Sequence, residues 1–77
     1  MTIAESTALI RAHLPAQLRD ELALNEIKQV DLERKIDSFK DACGRYLRGE
    51  YIPSLPVAVA MAKTLGVTLD RLCTGED

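Results

Sequence analysis

Cys43, Cys73 and His13 are the side chains of this 77-residue chain whose types suit nucleophilic or metal chemistry, and their spacing supports neither. The two cysteines stand thirty positions apart with no C-x-x-C pair, and there is a single histidine. A disulfide framework or a three- or four-ligand metal site therefore has too few members. A catalytic thiol needs a neighbouring base to make the thiolate, and His13 lies in a different segment from either sulfur. The expectation is two reduced cysteines, Cys43 at least filling core. With no nucleophile–base pair and no glycine-rich phosphate loop, the chain is not expected to be an enzyme, and no cofactor or metal is called for.

What remains is ionic chemistry. Ten Lys and Arg against twelve Asp and Glu give a formal charge of −2, which argues against holding nucleic acid by bulk positive charge. Position along the chain refines that objection. Lys28, Arg34, Lys35, Lys40, Arg45 and Arg48 share a short stretch with Asp31, Glu33, Asp37 and Asp41, a local balance of +2, while the rest of the chain is net acidic. Any affinity that depends on neutralising phosphates should be modest and salt-sensitive.

The elements that must position these groups are helical. The length fits one small domain near the lower size limit for a self-sufficient core, with dimerisation a natural support, and 47% apolar with 29% charged residues is a globular mixture. The longest apolar run, Val57 to Ala62, is far below the ~18–20 residues that cross a bilayer. Glu5 stands where a signal peptide would be basic, so a cytoplasmic protein with no membrane partner is expected. Apolar residues recur at helical spacing and strand-like runs are missing, which makes the class all-α.

Thr2-Ile3-Ala4-Glu5 is a capping-box pattern opening a helix to about His13. Pro15 is expected to end it and open a second helix to about Asn25, the rival being one bent helix. A helix follows from Gln29 to Ile36, then a turn at Asp37-Ser38. Ser38, with Asp41 three positions on, is expected to cap a helix carrying Cys43, Tyr46 and Leu47 that stops at Gly49. Ser54, with Pro56 in the first turn, opens a helix to Gly66, and Thr68 caps a last one before Thr74-Gly75. Two short helices joined by a tight turn and buttressed by others is a helix-turn-helix layout.

From Gln29 to Leu72 the chain resembles the helix-turn-helix domain of phage lambda-type repressors and Cro proteins, also found in small bacterial regulators and antitoxins. Gln29 and Leu32 match the opening of the motif, and Gly49 follows Gln29 by twenty residues. Pro53-Ser54-Leu55, Ala62, Leu65-Gly66-Val67 and Leu69-Asp70-x-Leu72 match the remainder without a gap. The resemblance implies a compact five-helix lambda-repressor-like domain with an extra N-terminal helical segment. Residues 1–14 would form that extension within the same domain, 15–74 the helix-turn-helix domain with its motif at about 29–48, and 75–77 a tail. The chain departs from the family's pattern at Lys28, Asp37, Ser38, Phe39 and Leu47, and Gly44 weakens the second motif helix. Asp37 replaces the turn glycine, and Ser38 and Phe39 allow the second motif helix to start one residue out of register.

In the DNA-binding use of the motif, the second helix enters the major groove. The residues expected to read bases are then Lys40, Asp41, Gly44 and Arg45. Arg45 can donate two parallel bonds to guanine, and Lys40 can read guanine or hold phosphate. Asp41 either caps the helix or accepts from cytosine N4, and Gly44 allows close approach. Resemblance assigns a phosphate to Gln29, at a helix N-terminus, with Lys28, Lys35 and Arg48 as further phosphate contacts. Tyr51 either bonds phosphate or covers the core. The implied partner is a double-stranded DNA operator, bound by a homodimer of a phage or prophage regulator in the cytoplasm, nucleoid-associated when bound. The chain ends soon after the last helix, so the dimer is expected to use this domain, through Ile3, Leu9, Ile10 and Leu14 or the C-terminal helix. The alternative is an antitoxin or antirepressor whose partner is a protein.

Overall fold

A computed structural model describes residues 1–76. Five helices follow one another: α1 (Ile3–Leu24), α2 (Gln29–Lys35), α3 (Ala42–Leu47), α4 (Leu55–Leu65) and α5 (Leu69–Thr74). The capping box forms as the sequence requires. Thr2 Oγ1 accepts from the Glu5 amide at 3.1 Å, and the Glu5 carboxylate accepts from the Thr2 amide at 3.0 Å.

The break expected at Pro15 does not occur: α1 runs through the proline as one helix of 22 residues, as the rival reading had it in continuity. Pro15 lacks the amide that would bond one turn back, a defect costing about 3 kcal/mol in a helix interior. Leu14, Leu18 and Leu22 lie on one stripe of α1, spanning that defect, and all three are buried. Full burial of each leucine is worth about 1.5–3 kcal/mol, enough to offset the proline. Leu14 is thus a core residue, 1% exposed, and cannot belong to a dimer face as expected; Ile3 on the same helix is exposed.

α1 packs along α5 and against α3, α2 packs on α3 and α4, and α4 on α5. One core results, built from the α1 leucines with Leu32, Ala42, Cys43, Tyr46, Met61, Ala62, Leu65 and Leu72. At 1.5 Å per residue α1 is ~33 Å long, matching the longest dimension of the molecule, 33 Å. Both cysteines are buried and unpaired. Burial pushes the Cys43 thiol up to about 11, helped by the nearby Glu33 and Asp41 carboxylates, and raises that of Cys73 as well.

The links between helices turn on left-handed residues. Asp37 takes φ 55° in place of the family's glycine, closing α2 with bonds from its own amide to Arg34 O and from Ser38 to Glu33 O. Gly49, at φ 74°, does the same after α3. There the Gly49 amide donates to Tyr46 O and the Glu50 amide to Arg45 O, a Schellman-type reversal.

Candidate nucleic-acid interface

α3 begins later than the sequence suggests. Ser38 does not cap it: its hydroxyl donates instead to Phe39 O at 3.4 Å. Asp41 is the N-cap residue, left-handed at φ 64° and with no capping bond from its side chain, so the expectation of a capping acid at Asp41 fails. The cap comes from another helix. One Glu33 oxygen accepts from the Asp41 amide at 3.3 Å, and the other from the buried Cys43 amide at 3.0 Å. Those are among the amides a helix start leaves unpaired. Nothing in the sequence marked Glu33 for this, since a cap is sought just before a helix, and Glu33 lies eight and ten positions upstream of the amides it serves.

α3 itself has six residues. Cys43 and Tyr46 face the core, as the helical spacing requires, and Arg45 is half-buried at the surface. Lys40 and Asp41 precede the helix and are exposed, and Arg48 follows it, also exposed. Asp41 and Arg48 meet across the outer face, Oδ2 to Nη2 at 3.1 Å, and Arg48 Nε donates to Glu50. The Glu50 hydrogen bond and then the Asp41 bond raise the Arg48 guanidinium further above its ordinary value. This ion-paired clasp lies over Gly44, where an added Cβ would collide with Asp41 Oδ1 and come within 3.1 Å of Arg48. Glycine at 44 therefore makes room first for the chain's own ion pair.

Arg45 has different company. Its guanidinium carbon lies 5.9 Å from the Phe39 ring centroid and 5.6 Å from that of Tyr51, within cation–π range of both. Among the described residues it makes no ion pair. Phe39, not singled out as a site residue from sequence, is more than half exposed beside it. The available signal was an aromatic in a polar turn of a chain with three aromatic residues in all.

The other expected phosphate contacts belong to α2. Lys28 is the extended N-cap residue of α2, Gln29 its first residue and Lys35 its last, and all three are exposed. Lys28 and Gln29 border a shallow depression with Arg19, Val30 and Leu47, and Lys40 borders another with Arg34 and Asp37. The structure thus gathers Lys40, Asp41, Arg45, Arg48 and Tyr51 around α3 and sets Lys28, Gln29 and Lys35 along α2. No group of three or more His, Cys, Asp or Glu suited to a metal exists among the described residues, and none of their helices is long and apolar enough to cross a membrane.

No curated protein and no solved structure matches the chain. A family model described as helix-turn-helix does, over residues 18–72, from the middle of α1 into α5 and across both motif helices. That span exceeds half of the chain, and the chain belongs to the Cro/C1-type helix-turn-helix family of DNA-binding regulators.

Proposed function

We propose that this regulator is a repressor-like or Cro-like phage or prophage protein that binds a near-palindromic operator as a homodimer, with α3 in the major groove. The observation that carries this reading is Arg45, a half-buried residue of α3 whose guanidinium has no carboxylate partner among the described residues. Its paired donors suit guanine O6 and N7. Lys40, exposed in the connection before α3, serves a base or a phosphate, and Gln29, Lys28, Lys35 and Tyr51 serve the backbone. Asp41 and Arg48 enter only by opening their mutual pair, and Arg48 also by leaving Glu50: Arg48 then gains a phosphate, and Asp41 a cytosine amine.

The exposed Phe39 ring also keeps a protein partner, of the antitoxin or antirepressor kind, as a second reading. Selection of bound sequences from a random duplex pool, with the solution mass measured alongside, separates the two. The operator reading expects an enriched motif with two half-sites centred ~34 Å apart and a dimeric mass. A pool that stays random, together with co-purification of one specific protein, would establish the other.

A further inference from the structure

Two of the three aromatic residues in the chain, Phe39 and Tyr51, converge on one guanidinium. They arrive from opposite ends of α3. Phe39 lies in the connection between two left-handed residues, Asp37 and Asp41, and Tyr51 is brought back by the reversal at Gly49 and the bond from Glu50 N to Arg45 O. Both residues stay more than half exposed, 57% and 54%, so covering core is not their main business. The neighbouring Arg48 shows the other way to hold an arginine: two carboxylates, which take up its Nε and one Nη2 donor. An aromatic face attracts the cation through its quadrupole and leaves the N–H donors, which lie in the guanidinium plane, unspent.

We infer that Phe39 and Tyr51 are positioning residues that bracket Arg45 and set its specificity for the guanine it reads. This rests on the proposed DNA-reading role of α3 and deepens it. Holding the guanidinium beforehand lowers the entropy cost of ordering a long side chain on the base edge. Tyr51 then acts through its ring, and its hydroxyl is dispensable for discrimination. Phe39 acts through Arg45 and not by touching DNA.

The test measures affinity for the selected operator against a scrambled duplex by fluorescence anisotropy, with thermal melts confirming that each variant is folded. Phe39→Leu and Tyr51→Leu should each cut the operator preference about two- to fivefold, the size expected of an exposed cation–π contact. Tyr51→Phe should retain the preference, since loss of a phosphate bond from the hydroxyl would lower affinity for both duplexes alike. In an Arg45→Ala background Phe39→Leu should have no further effect on it. The bracket is overturned if Tyr51→Phe loses as much as Tyr51→Leu, if Phe39→Leu costs the same with and without Arg45, or if both leucine variants discriminate as the parent does. A parent chain that yields no operator in the selection overturns the DNA-reading role and the bracket with it, a result distinct from a discriminating parent with unaffected variants.

Discussion

Glu33 carries the start of α3 on one buried carboxylate, 8% exposed, with its two oxygens spent on the amides of Asp41 and Cys43. Hydrogen bonds to a charged group are worth about 1.5–3 kcal/mol each, and stranding the buried Cys43 amide adds its desolvation cost. Glu33→Ala should therefore lower unfolding stability by about 2–4 kcal/mol in a urea titration. Glu33→Gln should fall between it and the parent, because its amide oxygen still accepts one bond while its NH2 faces a donor. Equal stability of all three would show that water serves those amides as well. The same carboxylate has a consequence for the thiol beside it. Cys43 is pushed up to about 11 mainly by burial, so it is protonated at neutral pH and chemically quiet, in keeping with its place in the core.

At the scale of elements, α1 shows tertiary packing overriding a local breaker. Its N-terminal half stays continuous with the stripe Leu14, Leu18 and Leu22 because that stripe crosses Pro15. If the proline is a defect that the core tolerates, Pro15→Ala should raise stability by about 1 kcal/mol or more, since alanine restores the missing amide without changing the buried face. A lower urea midpoint for that variant would mean the ring itself packs usefully. The same contrast explains what could be read in the sequence. Where the device is local, residue types announce it: the Thr2–Glu5 box, the Thr68 cap on the Arg71 amide, the left-handed Asp37 and the stops at Gly49 and Gly66 all lie where spacing puts them. Where it is not local, they cannot. The start of α3 depends on a carboxylate from α2, and the surroundings of Arg45 depend on two chain reversals. Sequence therefore gathers Lys40, Asp41, Gly44, Arg45 and Arg48 on one outward face, without showing that two of them pair over the third.

For the molecule as a whole, the question is how a chain of net charge −2 approaches a polyanion. The clasp sharpens it, because Arg48, one of the six cations between positions 28 and 48, is already neutralised by Asp41 and Glu50. On the proposed phosphate role of Arg48, those carboxylates hold the guanidinium that a phosphate would take, so contact with DNA would exchange one anion for another there. That exchange gains little from counterion release and favours sites where other contacts are also good. Replacing Asp41→Asn and Glu50→Gln together raises the net charge from −2 to 0 and frees the guanidinium. Binding to a scrambled duplex should tighten at low salt, and the slope of log affinity against log salt should steepen by about 0.9 per chain, the value for one additional phosphate. A tighter complex with an unchanged slope would mean that only long-range repulsion was relieved. Weaker binding would mean that the pair orders α3 for DNA, and the clasp would then be part of the reading surface and not a restraint upon it.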